Sequence, residues 1–311
     1  MASGSLPAWA AMATATLRMA SPLIFTALGG TFSERSGVTN IGLEGIMTTS
    51  AFFSIAGAMA TGNPFLGLLC GLVAGVVVSL IHAFLSISLK ADQVISGVAI
   101  NMFASGLAGF LIFKLYKTHG QTDSVKGIPY PSVALSKIPV IGGFLADLNW
   151  FVFLAIALVF ISHYVLYKTP LGLRIRAVGE HPKAADTVGI NVYAIRYLCV
   201  ILSGALAGLG GAYLSIGDVR LYKDGMTAGR GFIALAAMIF GNWKPFGAMW
   251  ACLLFGFAQA LQIVAQGFGW GIPTEVYDAL PYVLTMLALA GFVGKTQAPL
   301  ADGVPYDKSS R

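Results

Sequence analysis

Charged residues are scarce in this sequence. Asp, Glu, Lys and Arg together make up 10% of its 311 residues, whereas soluble globular domains average about 25%. Hydrophobic residues make up 57%, and the mean hydropathy is +0.78. This composition excludes a soluble globular domain and predicts an all-α polytopic membrane protein.

The sequence also has few residues that bind metals or undergo redox chemistry. Its three cysteines lie in apolar stretches without the spacing of metal ligands, and its four histidines are scattered. We therefore interpret the cysteines as buried hydrophobic side chains and predict neither a metal site nor a catalytic residue. These residues are Cys70, Cys199, Cys252, His82, His119, His163 and His181.

A nucleotide-binding loop is missing as well. Gly294-Lys295-Thr296 resembles the end of such a loop, but Leu289 occupies the position of the required first glycine, and an apolar run precedes it. We predict that the chain has no ATP site, binds no cofactor and is not an enzyme. The net charge of +6 comes from basic residues spread among loops that flank apolar runs, so a membrane explains it without nucleic acid.

Apolar runs dominate the chain and are long enough to cross a bilayer, which takes about 17 to 25 residues. They predict about nine transmembrane segments, one of which is short and is either a span or a re-entrant half-helix packed against its neighbours. The runs are 8–30, 41–60, 64–89, 93–116, 149–167, 197–217, 246–266 and 275–294, with the short segment at 230–242.

The loops between these runs predict the orientation. Residues 168–196 form the longest strongly basic segment, and residues 118–149 contain three prolines and a glycine pair and cannot form a span. Placing 168–196 in the cytoplasm puts eleven basic residues inside and seven outside, which agrees with the positive-inside rule. We therefore expect 118–149 to be an external loop, the N-terminus to be external and the C-terminus to be cytoplasmic.

The basic segment 168–196 contains a predicted short helix. Pro182 can open a helical turn, Ala184 and Ala185 continue it with small side chains, and Gly189 can close it in a left-handed conformation. A helix of about two turns is not stable alone in water and needs a partner surface. The alternative is an ordinary basic cytoplasmic loop.

A glycine-rich stretch, residues 37–45, carries polar side chains at the start of the second run. Asn40 and Glu44 are four residues apart and share a side if the chain is helical there. Polar groups are costly in lipid, so they should face the protein interior or an aqueous cavity. The alternative is that Asn40 caps a helix beginning at Ile41 and that Glu44 lies in its first turn.

Uncharged amides in or beside other runs could bind a neutral polar solute. Gln93, Asn101 and Gln259 are such residues, although hydrogen bonds between helices would explain them equally well. With Asn40 and Glu44 they form the candidate substrate path. No pair of intramembrane Arg or Lys is available to hold a phosphate or carboxylate, which favours uncharged solutes.

One run has a face of small side chains. In residues 203–215, Ser203, Ala207, Gly211 and Ser215 recur four apart. Such a face permits close contact between helices in lipid and predicts packing rather than permeation.

Three motifs together resemble a known family. They are Gly37-Val-Thr-Asn-Ile-Gly-Leu-Glu-Gly45, the stretch from Thr169 to Asn191 and the stretch from Leu202 to Ser215. The chain, from about Thr14 to Phe292, is similar to the permease subunits of bacterial ABC importers in the ribose, branched-chain amino acid and nucleoside group. Within that group it most resembles the simple-sugar and nucleoside permeases.

The resemblance implies a single permease domain, residues 1–311, in the bacterial plasma membrane. It implies a second permease subunit, identical or homologous, two cytoplasmic ATPases that carry ATP and magnesium, and an extracytoplasmic substrate-binding protein. The coupling helix would be Pro182 to Val188, preceded by Gly179, Glu180 and His181 and closed by Gly189, with Ala184 and Ala185 at the contact. His181 is a departure, because relatives often have Asn there.

The resemblance implies transport of nucleosides, with simple sugars or branched-chain amino acids as alternatives. A self-contained secondary transporter or channel is the hypothesis from another class. A proton-driven carrier usually has buried acids within its spans, and only Glu44 comes near that description.

Overall fold

The structure is a computed structural model that describes residues 8–131, 147–267 and 296–308, together with residues 273, 275–277, 279, 283 and 286. Within these ranges the chain folds into helices and loops, with one isolated bridge between Gln121 and Lys223. The predicted all-α class is confirmed.

Ten α-helices have described bounds, and two of them continue into a π-helical turn. In chain order they are α1 (Ala8–Arg35), α2 (Leu43–Thr61), α3 (Pro64–Ala83, continued by Phe84–Ser88), α4 (Gln93–Tyr116), α5 (Trp150–Lys168), α6 (Pro170–Glu180), α7 (Pro182–Thr187), α8 (Val192–Ala212, continued by Tyr213–Val219), α9 (Arg230–Phe240) and α10 (Pro245–Gly267).

Seven of these helices are long and apolar enough to cross a membrane, namely α1 to α5, α8 and α10. The prediction of about nine spans is therefore confirmed only in part. The short run 230–242 forms α9, whose 11 residues extend about 16 Å, roughly half of a bilayer core of about 30 Å. The predicted span 275–294 lies mostly outside the described residues.

Polar side chains and prolines fix where many helices begin. Side-chain oxygens accept hydrogen bonds from backbone N–H groups in the first turns of α3 to α6 and α8. Helices α3, α6 and α7 also begin with proline, which lacks an N–H that would be unpaired there. The capping residues are Asn63, Asp92, Asn149, Thr169 and Asn191.

The small-residue face of α8 packs in the centre of the bundle against α1, α2 and α3. Ser203, Ala207 and Gly211 are buried. A Cβ added at Gly211 would collide with the carbonyl oxygen of Met47 on α2. The predicted packing role is confirmed, because this contact has room only for glycine.

Two loop stretches meet at one end of the bundle. Thr122 N–H donates to the Tyr222 carbonyl at 2.9 Å, and Val125 N–H donates to the Arg220 carbonyl at 2.8 Å. At the other end of the bundle, Lys90 forms an ion pair with Asp307 at 2.8 Å. We call this second end, which also carries residues 168–196, the basic face.

Candidate functional site

The chain between α1 and α2, residues 36–42, is not helical, although most of it is buried. Backbone groups buried at this depth need hydrogen-bond partners, because lipid supplies none. The N–H of Thr39 donates to Gln93 Oε1 of α4 at 2.7 Å, and His82 Nε2 of α3 lies 3.0 Å from the Thr39 carbonyl oxygen. Side chains of the flanking helices therefore hold this segment, which we call the broken segment, in place.

Asn101 of α4 holds the next turn. Its Nδ2 donates to the Ile41 carbonyl at 3.0 Å, and its Oδ1 accepts from the Gly45 N–H at 2.7 Å. A Cβ at Gly45 would lie 2.8 Å from the Ile100 carbonyl oxygen, so glycine permits this close approach of α2 and α4. Asn101 thus makes the helix-to-helix bonds considered as the alternative to solute binding.

Asn40 is fully buried and does not cap α2. The helix begins at Leu43 after Gly42, and Asn40 Nδ2 instead donates to Ser203 Oγ of α8 at 3.1 Å. The predicted cap is therefore wrong, because the chain turns once more before the helix starts. Asn40 Oδ1 and Gln93 Nε2 are buried polar atoms without a hydrogen-bond partner among the described residues.

Glu44 lies in the first turn of α2, as predicted, and its carboxylate binds the start of α9. Oε1 accepts from the Gly229 N–H at 2.9 Å, and Oε2 accepts from the Gly231 N–H at 2.6 Å. A helix N-terminus presents unpaired N–H groups and the positive end of its dipole, so a carboxylate stabilises it. A Cβ at Gly231 would lie 2.5 Å from the Glu44 backbone, and this position therefore requires glycine.

Four of the five predicted path residues, Asn40, Glu44, Gln93 and Asn101, therefore lie on or against the broken segment and the first turn of α2. Gln259 is apart from them, on α10, which packs on α1, α9 and α5. His82 is fully buried and bonds to the broken segment and to Ser96. Its interior position depends on Thr39 and Ser96, which no local pattern links to it.

The predicted coupling residues lie on the basic face, at the junction of α6 and α7. Helix α6 ends at Glu180, exposed His181 forms the joint, and α7 spans Pro182–Thr187. Gly189 has a φ of +85° and ends this region in the left-handed conformation predicted for it. Gly179 packs so tightly that a Cβ would collide with the Arg35 carbonyl oxygen at the end of α1.

Helix α7 has one buried and one exposed side. Ala185 is 3% exposed and packs with Val178, Val192 and Tyr306 of the same chain. Ala184 is exposed, and Val188 is 76% exposed. Ala185 therefore holds α7 on its own subunit, while Ala184 and Val188 are accessible to a partner.

Residues 297–308 pack on the basic face, a role that was not predicted from the sequence. Ala301 and Tyr306 are buried there, and Asp302 Oδ1 accepts a hydrogen bond from Thr39 Oγ1 at 3.1 Å. Burial raises the pKa of the Asp302 carboxyl to about 6, although the hydrogen bond from Thr39 opposes the shift. Ala301 and Tyr306 are buried, whereas the apolar Leu300 and Val304 near them are exposed, so hydrophobicity alone could not have indicated that this segment is docked.

The comparisons with known proteins agree with this architecture. The family model described as branched-chain amino acid transport system / permease component matches residues 12–289. The chain belongs to this permease family. The predicted resemblance is thereby confirmed, as is the prediction that the chain is a transport subunit and not an ATPase. No solved structure gives a significant match.

Several named permeases are similar over nearly the full length. The guanosine ABC transporter permease protein NupQ of Bacillus subtilis is 50% identical over 308 residues, which cover 96% of each chain. The nucleoside ABC transporter permease protein NupC of Lactococcus lactis is 46% identical, covering 93% of this chain and 94% of its own. A putative glucose ABC transporter permease of Haloferax volcanii is 34% identical, covering 93% of each chain.

Proposed function

We propose that this chain is the permease subunit of an ATP-driven importer of nucleosides in the bacterial plasma membrane. The observation that carries the proposal is the 50% identity to the guanosine permease over 96% of both chains. The nucleoside permease at 46% identity has the same solute class in its name. These two relatives are more similar to the chain than the putative glucose permease at 34% identity, which favours nucleosides over glucose as the solute.

The proposed route passes the broken segment and the N-terminus of α9. Interrupted helices and half-helices near the middle of the membrane are where transporters of several folds bind their solutes. Asn40 Oδ1 and Gln93 Nε2, which have no partner among the described residues, would supply an acceptor and a donor for a neutral solute. Arg230 also lies here: its Nη1 donates to the carbonyls of Met226 and Thr227 at 3.1 and 3.3 Å, and its buried Nε has no partner among the described residues.

The proposed contact with a cytoplasmic ATPase is the exposed side of α7 and its flanking residues. Ala184 is small and exposed there, so a partner backbone can approach closely, and exposed Val188 supplies apolar surface. Gly179, Glu180, His181, Pro182, Ala185 and Gly189 shape and hold this contact from within the chain. ATP and magnesium would bind to the ATPase, which is a separate chain.

The remaining proposed partners follow from the family. A second permease subunit, identical or homologous, would complete the membrane core, and an extracytoplasmic binding protein would deliver the solute to the face formed by residues 118–131 and 219–229. Contacts between those two stretches support their placement on one side. Lipid would surround the exposed apolar side chains of α3, α4 and α5.

The solute assignment is tested by uptake into proteoliposomes that contain the permease with its ATPase, second permease and binding protein. We expect ATP-driven uptake of guanosine and no uptake of guanosine monophosphate, because the sequence predicts no pair of intramembrane Arg or Lys to hold its phosphate. Glucose and leucine serve as the competing solutes. Uptake of leucine or glucose without any nucleoside would contradict the assignment and move the chain to another branch of its family.

A further inference from the structure

Residues 297–308, which we call the C-terminal strap, cross the basic face, and three of their contacts bear on coupling. The first anchor is the end of α6, directly before the proposed coupling helix α7. The Ala301 N–H donates to the Gly179 carbonyl at 2.9 Å, and the Leu300 N–H donates to Glu180 Oε2 at 3.3 Å. Any displacement of the α6–α7 junction therefore acts directly on residues 300 and 301.

The second anchor is α7 itself. The Tyr306 side chain is 5% exposed and belongs to the apolar cluster that contains Ala185. Lys308 Nζ adds an exposed ion pair to Asp186 at 3.5 Å, which contributes little by itself. A six-residue helix is not stable alone, so the strap is part of the surface that holds α7 in shape.

The third anchor is the broken segment. Asp302 Oδ1 accepts from Thr39 Oγ1 at 3.1 Å, and the same Thr39 is bound through its backbone to Gln93 and His82. Gly303 has a φ of +75°, and a Cβ there would lie 3.2 Å from Thr39 Oγ1. Arg196 of α8 fixes the turn by donating from Nη1 to the Val304 carbonyl at 3.0 Å.

We infer that the C-terminal strap links the proposed coupling helix to the broken segment and transmits movement between them. The inference rests on the proposed function, because it takes α7 as the element that the ATPase moves. Asp302 and Ala301 are positioning residues in this scheme. They touch neither solute nor ATP, and they determine how closely Thr39 follows α7.

A matched pair of substitutions tests the link. Ala301 is buried against α6, whereas Ala298, three residues earlier in the same strap, is exposed. In the reconstituted complex, Ala301→Trp is expected to lower the number of solute molecules taken up per ATP hydrolysed by about tenfold, which lies within the usual range of coupling energies. Ala298→Trp is expected to keep this ratio within about twofold of the unmodified complex.

A second pair keeps the test decisive if Ala301→Trp does not fold. Asp302→Ala removes the acceptor for Thr39 and should lower uptake per ATP. Asp302→Asn keeps a side-chain oxygen as acceptor and should keep uptake per ATP near that of the unmodified complex. Co-purification with the ATPase and the basal rate of ATP hydrolysis should be unchanged in all four variants. An unchanged ratio in Asp302→Ala overturns the inference, and so does loss of ATPase binding, which would make the strap a docking surface.

Failure of the solute assignment is visible separately. The ratio is measured with whichever solute the unmodified complex takes up, so a complex that carries glucose or leucine contradicts only the nucleoside proposal. An unmodified complex that takes up guanosine while Ala301→Trp and Asp302→Ala keep full coupling contradicts only the strap.

Discussion

Replacing Ala184 by Trp is expected to lower ATP-driven uptake by about tenfold to a hundredfold while the subunit still folds. Ala184 is on the exposed side of α7, so an indole there can extend away from the chain's own core. A bulky side chain forced into a well-packed contact costs about 1 to 3 kcal/mol, and about 1.4 kcal/mol corresponds to a tenfold change in affinity. Co-purification with the ATPase and uptake in proteoliposomes measure the effect.

Ala184→Ser and Ala185→Trp are the controls for this prediction. Serine changes the volume little and should support normal uptake. Trp at Ala185, which is 3% exposed and packs against Tyr306, should reduce the yield of folded subunit, because it displaces the chain's own core. If Ala184→Trp co-purifies with the ATPase and supports full uptake, α7 is not the coupling contact.

Replacing Glu44 by Ala is expected to destabilise the subunit by about 1 to 3 kcal/mol, the cost of leaving the N–H donor of buried Gly231 unpaired; Gly229 is only half-buried. The N–H groups of Gly229 and Gly231, bound at 2.9 and 2.6 Å, would both lose their acceptor. Helix α9 would no longer be fixed to α2, so uptake should be nearly lost as well. Thermal unfolding of the purified subunit in detergent measures the stability.

Glu44→Gln is the matched control, because it retains the shape and one acceptor oxygen. We expect its unfolding temperature to lie between those of the unmodified subunit and of Glu44→Ala. Equal unfolding temperatures for all three proteins would show that the carboxylate does not hold α9, and Glu44 would then be free to contact solute.

Most of the helical architecture could be predicted from the sequence, because long apolar runs and their capping residues are local signals. The run 64–89 and the helix Pro64–Ala83 with its continuation to Ser88 nearly coincide. Helix α1 extends to Arg35, beyond the predicted end at residue 30, because a distant residue stabilises its polar last turn. Trp243 Nε1 donates to Glu34 Oε2 at 2.6 Å across 209 positions.

Helix α6 was not predicted, because Pro170–Glu180 carries Arg174 and Arg176 and was interpreted as part of a charged loop. Its amphipathic pattern buries Gly172, Ile175, Val178 and Gly179 against the bundle. The strongest sequence signal for this helix was Pro170, which opens it. Thr169 directly before it caps the helix, because its hydroxyl accepts the Gly172 N–H.

The candidate site could be located from sequence, but its contacts could not. The glycine-rich residues 37–45 were correctly singled out, and Glu44 lies in a first turn as expected. Its partner Gly229 is 185 positions away, and only the fold brings the two together. The role of Asp302 depends in the same way on Thr39, from which it is separated by 263 positions.

The most direct measurement of what this chain does is guanosine uptake by the complete complex with an intact or a hydrolysis-deficient ATPase. A permease subunit without its own ATP site requires a partner's hydrolysis, so uptake should stop with the deficient ATPase and should not respond to a proton gradient. Uptake that continues without ATP hydrolysis and increases with a proton gradient would contradict the assignment and indicate a self-contained secondary transporter.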